Sequence, residues 1–349
     1  MYIVIAILAF GILIATHELG HFLAAKACGV KVNEFAIGMG PALFKKQGKE
    51  TLYSLRLLPI GGFCAMEGED EATEDPRAFT RQHPLKRMII LVAGAFMNFL
   101  VGFLIVLILY TGAGGFAGNT VTELVDGFRY SENGLQAGDR IVAIDGHRVY
   151  YAEDFSTYMA RRSGSVDMTV LRGGEKIQLT DYALQQEEYV VDGQTVLRYG
   201  VTFNVIEGTA GAKLKYSLYT AYNFVRYVMM GLSDLISGAV GINQLSGVVG
   251  IVGTISDVGQ QSAGAHAAAM NIAYLCAFIA VNLAVMNMLP VPALDGGRVF
   301  LLLVTVVIEK ITRKKINPKY EGYIHAIGLA LLLVLMAYVM FNDIVRLIR

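Results

Sequence analysis

Long apolar runs alternate along this chain with stretches in which polar and apolar residues are mixed. Four runs, at 1–25, 88–110, about 272–289 and 323–341, approach or exceed the roughly 20 residues that a helix needs to cross a bilayer. A fifth, at 216–236, is long enough but contains Arg226 and Asp234, and it reads as an interfacial or packed helix rather than a span. Two segments follow a different rhythm. Residues 33–66 set Phe35 with Ile37, and Leu52 with Leu55 and Leu57, around Gly38, Gly40, Pro41, Gly61 and Gly62, which predicts a β-hairpin or small sheet. Residues 119–208 hold short runs such as Arg140-Ile141-Val142-Ala143-Ile144 and Met168-Thr169-Val170-Leu171, punctuated by Asp145-Gly146 and Gly173-Gly174, and predict a small soluble domain of short strands. Residues 67–82, with Glu67, Glu69, Asp70, Glu71, Glu74 and Asp75, read as a solvated acidic loop.

The expected fold class is a polytopic α-helical membrane protein of about four transmembrane helices, with a membrane-associated β-hairpin or sheet and an inserted α+β domain. Its segments are a first half of the membrane core at 1–110, the insert at 115–208, an amphipathic helix and loop at 212–270, and a second half of the core at 271–349. Composition agrees, because 54% hydrophobic and 17% charged residues depart from the 45–50% and 25% of ordinary globular chains. With 29 basic against 29 acidic side chains and no Lys/Arg stripe, the electrostatic footprint of nucleic-acid binding is missing. Cys28, Cys64 and Cys276 are odd in number and far apart, so they read as buried small hydrophobes and not as a disulfide framework or metal knuckle.

Charge also orients the chain. Lys26, Lys31, Lys45, Lys46 and Lys49 follow the first apolar run, which no basic residue precedes; Lys86 and Arg87 open the second, and Lys310, Arg313, Lys314 and Lys315 lie between the third and fourth. The N-terminus, residues 111–270 and the C-terminus are therefore expected outside and residues 26–87 inside, with Arg346 and Arg349 running against the rule. Without a basic stretch before it, the first run is expected to be retained and not removed as a signal peptide.

That run contains His17-Glu18-Leu19-Gly20-His21. Positions i and i+4 lie about 40° apart on a helix, so both imidazoles can reach one metal while a Glu at i+1 reaches water beside it. Three ionisable groups inside an apolar span are costly unless they serve a site. A catalytic zinc takes three protein ligands, so a third must come from elsewhere. Asp295 follows the third apolar run directly, among Pro290, Pro292, Gly296 and Gly297, at the same expected depth as the histidines. Asp234, Asp257, Glu309, His266 and His325 are the alternatives, whereas His83 and His147 read as surface histidines. A membrane scaffold, using these groups only for helix packing, and a metal transporter are the competing classes; the transporter would need a continuous polar path that the second and fourth runs do not offer.

The residues resemble the site-2 protease family of intramembrane zinc metalloproteases, in its bacterial RseP type. The likeness covers His17-Glu18-Leu19-Gly20-His21, Glu34 to Pro41, Tyr53-Ser54-Leu55-Arg56, Pro59-Ile60-Gly61-Gly62-Phe63, Ala93-Gly94 and Asn98-Phe99. It continues through Leu245-Ser246-Gly247 and Gly250-Ile251 to Asn282, Asn287, Pro290 and Leu294-Asp295-Gly296-Gly297. The resemblance implies Zn2+ on His17, His21 and Asp295, Glu18 as general base, and Asn287, Asn282, Gly61 and Gly62 as substrate-binding residues. Gly134 to Gly146 with Val170-Leu171-Arg172-Gly173-Gly174 also resemble a bacterial PDZ domain, and the insert has room for one. The pattern departs from the family at Ala95 and Val248, where proline is usual, and no Gly-Leu-Gly-Phe carboxylate loop is present. The family likeness further implies a bacterial inner-membrane location with the active site near the cytoplasmic side. It implies single-span membrane substrates, such as anti-sigma factors or remnant signal peptides, already cut outside by another protease. The PDZ insert then acts as a size filter, with peptide contact as a further role.

Overall fold

The computed structural model describes residues 2–69, 73–125, 134–162, 164–184, 186–191, 194–314 and 319–348. Asp70, Glu71, Lys315 and Arg349, used above for charge, lie outside them. In chain order the elements are α1 (Tyr2–Cys28), β1 (Val32–Gln47), β2 (Leu52–Met66) and α2 (Pro84–Leu109). An insert follows, with β3 (Gly115–Leu124), β4 (Arg140–Ile144), β5 (His147–Arg148), α3 (Ala152–Ala160), β6 (Val166–Arg172), β7 (Glu175–Tyr182), β8 (Glu187–Val191), β9 (Gln194–Arg198) and β10 (Val201–Glu207). The chain closes with α4 (Ala210–Ser237), α5 (Val248–Gln261), α6 (Ala265–Asn287), α7 (Asp295–Thr312) and α8 (Lys319–Ile348). Two compact units result, residues 1–111 with 217–349, and residues 112–216.

Among the described residues, four helices are long and apolar enough to cross a membrane: Tyr2–Cys28, Pro84–Gly112, Ala265–Asn287 and Gly322–Arg346. Along α1 the buried positions Ala6, Phe10, Leu13, His17 and Gly20 repeat at alternating steps of four and three, the seam of a packed helix pair. Its other side leaves Val4 60%, Leu8 53% and Ile12 61% exposed, an apolar surface that suits lipid and not water. Glycines let the backbones approach. A Cβ on Gly20 of α1 would run into the Ala93 carbonyl of α2, and one on Gly102 of α2 would meet Val281 and the Ala277 carbonyl of α6. α1, α2 and α6 thereby form the core of the first unit.

The β1–β2 sheet is more than a simple hairpin. Glu34 to Ile37 pair on one side with Gly62 to Ala65 and on the other with Leu52 to Leu55, and Ala42 to Gln47 pair in turn with Leu52 to Arg56. The residues after it correct the expectation of a solvated loop. Lys31 Nζ donates to Glu67 at 3.0 Å, Asn33 Nδ2 donates to the same carboxylate, Arg298 of α7 pairs with Glu69, and Phe79 is buried. These partners, Asn33 first, hold the Glu67 carboxyl down at about 2, and Lys26 with Arg77 hold Glu50 equally low. His83 is not idle at the surface either, since its Nδ1 accepts from the Leu85 N–H and caps α2.

Two helices are not among those the hydropathy pattern predicts. α5 carries Gly250, Gly253 and Gly259, poor helix formers, yet buries Ile255 against Ala6, Phe10, Leu13 and Ile272. Its first turn is met by Asp343 of α8, whose Oδ2 accepts from the N–H groups of Gly247 and Gly250 at 2.9 Å each. A carboxylate at a helix N-terminus satisfies donors that would otherwise be stranded. α7 begins at Asp295, and a Cβ on Gly296 or Gly297 would strike the backbone of Met288 to Val291, so both glycines permit the tight fold-back from α6.

In the second unit the sheet runs β10-β3-β4-β6-β7, with β5 paired to β4, and β8 and β9 form a separate hairpin. Asp139, fully buried, takes a two-pronged bond from Arg172 at 2.7 and 2.8 Å, and Arg172 also donates to the Gly134 carbonyl. The turn 134–139 is thus fastened to β6. Asp154 caps α3 by accepting from the N–H groups of Tyr150 and Tyr151.

Candidate active site

His17 and His21 face the same way on α1, and the fold-back after α6 brings Asp295 to meet them. Asp295 Oδ2 lies 3.1 Å from His17 Nε2 and 3.3 Å from His21 Nε2, and the two Nε2 atoms are 3.2 Å apart. Both histidines are buried, and Asp295 Oδ2 is buried with no hydrogen-bond partner. Three electron-pair donors crowded round one point make an unfavourable arrangement unless a cation sits among them. The spacing is also that of a tetrahedron's edge about an ion with bonds of roughly 2.0 Å, which gives about 3.3 Å between ligand atoms. Among the described residues this is the one His, Cys, Asp or Glu group close enough to hold a metal; Asp234, Asp257, Glu309, His266 and His325 are not part of it.

The imidazoles are oriented from behind. His21 Nδ1 donates to the Ile90 carbonyl of α2 at 2.8 Å, which leaves the Nε2 lone pair turned inward. Asn287, the last residue of α6, brings its Nδ2 within 3.5 Å of His17 Nδ1. Gly94 of α2 faces the pair so closely that a Cβ there would overlap His21 Nε2 and crowd Cε1 of both rings. Ala93-Gly94 was legible as a motif, and a lone glycine inside an apolar helix signals close packing; what it packs against needed the fold. Thr16 Oγ1 reaches Asn98 Oδ1 at 3.4 Å and links α1 to α2 one residue before the histidine pair.

Glu18 sits beside the sheet. A Cβ on Gly62 would come within 3.3 Å of Glu18 Cγ. Gly61 adopts φ +89, with the Met39 side chain packed where a Cβ would go. Of the expected substrate residues, Asn287 and Gly62 thus adjoin the cluster through His17 and Glu18. Asn282 lies five residues earlier on α6, about 140° round the helix from Asn287, and faces elsewhere.

A buried His-His-Asp cluster with an adjacent glutamate in an apolar helix bundle is a metallopeptidase arrangement, and the model of peptidase family M50 matches residues 5–335. The chain belongs to peptidase family M50. It is a metalloprotease of the site-2 type, carried on several membrane-spanning helices. A Clostridium perfringens protein named as a zinc metalloprotease is 36% identical over 347 residues, covering 99% of both chains. Zinc metalloprotease RasP of Bacillus licheniformis is 28% identical over 423 aligned positions, covering 98% of each. The regulator of sigma-W protease RasP of Bacillus subtilis is 28% identical over 426, covering 98% of this chain and 97% of its own. Those alignments are longer than the 349 residues here, so this M50 member is a short one that lacks insertions the RasP proteins carry.

Proposed function

We propose that this M50 protein is an intramembrane zinc endopeptidase that cleaves transmembrane segments of single-span proteins, with His17, His21 and Asp295 as metal ligands and Glu18 as general base. The observation that carries the reading is the triangle of 3.1, 3.2 and 3.3 Å between two imidazole nitrogens and one carboxylate oxygen, inside an apolar helix bundle. Zinc held by His17, His21 and Asp295 would supply a Lewis acid for the scissile carbonyl and the attacking water. Glu18 accepts the proton of that water on its carboxylate and returns it to the departing amine nitrogen. A metal held by Nε2 would leave the His17 proton on Nδ1, and the Asn287 amide, turned over, would offer Oδ1 to receive it.

A helical substrate hides its carbonyls in i to i−4 bonds, so it must unwind and find new partners in a region without water. Gly62 to Met66 pair with β1 along one side, and among the described residues no strand pairs with the other. A substrate strand added to that edge would pass Glu18, which is why side-chain-free Gly61 and Gly62 suit this place. On the charge rule the active site lies toward the cytoplasmic side, with the N-terminus, residues 112–216 and the C-terminus outside. The reading is tested by metal removal. Purified protein in detergent should carry zinc and cut a transmembrane model peptide; chelation should abolish cleavage and added zinc restore it. Cleavage that survives complete metal removal would sink the assignment.

Residues 112–216 are read as a PDZ-like domain that filters substrates by size, so that only proteins already trimmed outside are cut. A groove of about 560 Å³, lined by Phe155, Tyr199, Gly200, Val201, Thr202 and Phe203 between α3 and edge strand β10, offers a place for an extended peptide. Deleting residues 119–208 should let untrimmed substrate be cleaved, as read by gel mobility of a tagged single-span protein. Untrimmed substrate left whole while trimmed substrate is cut would remove the filter.

A further inference from the structure

The segment that delivers Asp295 is held by a side chain from α8. Between the end of α6 and the start of α7, Ala293 takes φ +76, a left-handed conformation that an L residue other than glycine, Asn or Asp rarely adopts. The Ala293 N–H donates to His325 Nδ1 at 3.1 Å. One turn further along α8, Gly328 is so close to the loop that a Cβ would strike Pro292. The surroundings are apolar, with Val291, Pro292, Ile324, Ile327 and Leu331 lining the groove between loop and helix. A backbone N–H in such a place is stranded without a protein acceptor.

We propose that His325 is a positioning residue for Asp295, acting through the backbone of Ala293. The inference rests on the reading of Asp295 as a metal ligand. One residue, Leu294, separates Ala293 from Asp295, and its N–H donating to the Val291 carbonyl at 3.2 Å closes the turn 291–294 in which Ala293 sits. Losing the His325 acceptor frees the strained residue to relax, and the Asp295 carboxylate then no longer points at Nε2 of both histidines. His325 thus belongs to the metal site without touching it, which separates it from its earlier standing as an alternative ligand.

The experiment measures zinc affinity of the full-length protein in detergent by competition with a fluorescent chelator. His325→Leu, similar in bulk but without an acceptor, is expected to weaken zinc binding roughly 10- to 100-fold, the usual effect of losing a group that orients a ligand. His325→Asn places Oδ1 where Nδ1 stood and is expected to bind zinc close to wild type. Leu332→Ala, which thins the same groove without touching the hydrogen bond, should leave zinc affinity unchanged. Wild-type affinity in His325→Leu overturns the proposal, as does equal weakening by Asn and Leu, or by Leu332→Ala. Asp295→Ala should bind no zinc at this site; if it keeps wild-type affinity, the ligand reading has failed, a result distinct from failure of the His325 inference alone.

Discussion

Glu18→Gln is expected to abolish cleavage of a transmembrane model peptide while the purified protein keeps its zinc. The amide matches the carboxylate in size, so the close approach of Gly62 is preserved. It cannot take a proton from the attacking water, and losing a positioned general base typically costs about 10²- to 10⁴-fold in rate. Zinc content should not follow, because Glu18 is outside the group formed by His17, His21 and Asp295. Metal analysis and mass spectrometry of the cleaved peptide read the two quantities separately. Zinc lost together with cleavage would make Glu18 a ligand, and cleavage at the wild-type rate would leave the base elsewhere.

Gly94→Ala is expected to remove both zinc and activity while leaving the helices folded. The new methyl group would overlap His21 Nε2, the atom proposed to bind the metal, and press on Cε1 of both rings. Nor can α2 step back, since Gly20 against the Ala93 carbonyl and Gly102 against Val281 and the Ala277 carbonyl hold it close on two sides. The imidazoles must therefore swing out of line. Helix propensity works the other way, with alanine favoured over glycine by about 1 kcal/mol, so the secondary structure should persist. Zinc content measured beside far-ultraviolet circular dichroism checks this. Full zinc occupancy in the variant would show that the rings have room the geometry denies.

What could be read in advance follows from the range over which each residue acts. His17 and His21 were legible because a helix turns four residues of separation into one face, and the apolar runs were legible because span length is a property of sequence alone. From spacing alone Asp295 was one of several acids and histidines, narrowed by expected depth, and the family resemblance singled it out; bringing it to the pair takes the fold-back at Gly296 and Gly297, a tertiary event. α5 escaped notice because its glycines argue against a helix, and the compensation comes from Asp343, 93 to 96 residues away. The acidic segment after β2 looked solvated because its partner Arg298 lies 229 residues from Glu69. α7 was masked by Arg298, Glu309 and Lys310, which break the apolar run without breaking the helix.

Much of α8 shows an apolar surface, with Ile327 63%, Leu331 66% and Val334 69% exposed, so lateral packing grips it lightly. It is fastened instead near its two ends, by His325 to the loop before Asp295 and by Asp343 to the first turn of α5. These fixings are 18 residues apart, about 27 Å of rigid rod. On the proposed reading of Asp295 as a metal ligand, a rod held so would act as a lever: a change in the seating of α5 would tilt it, and the far end would pass the tilt to the backbone before Asp295. Bilayer thickness, which sets how such a rod leans, would on that reading become a variable in the chemistry of a site it never touches.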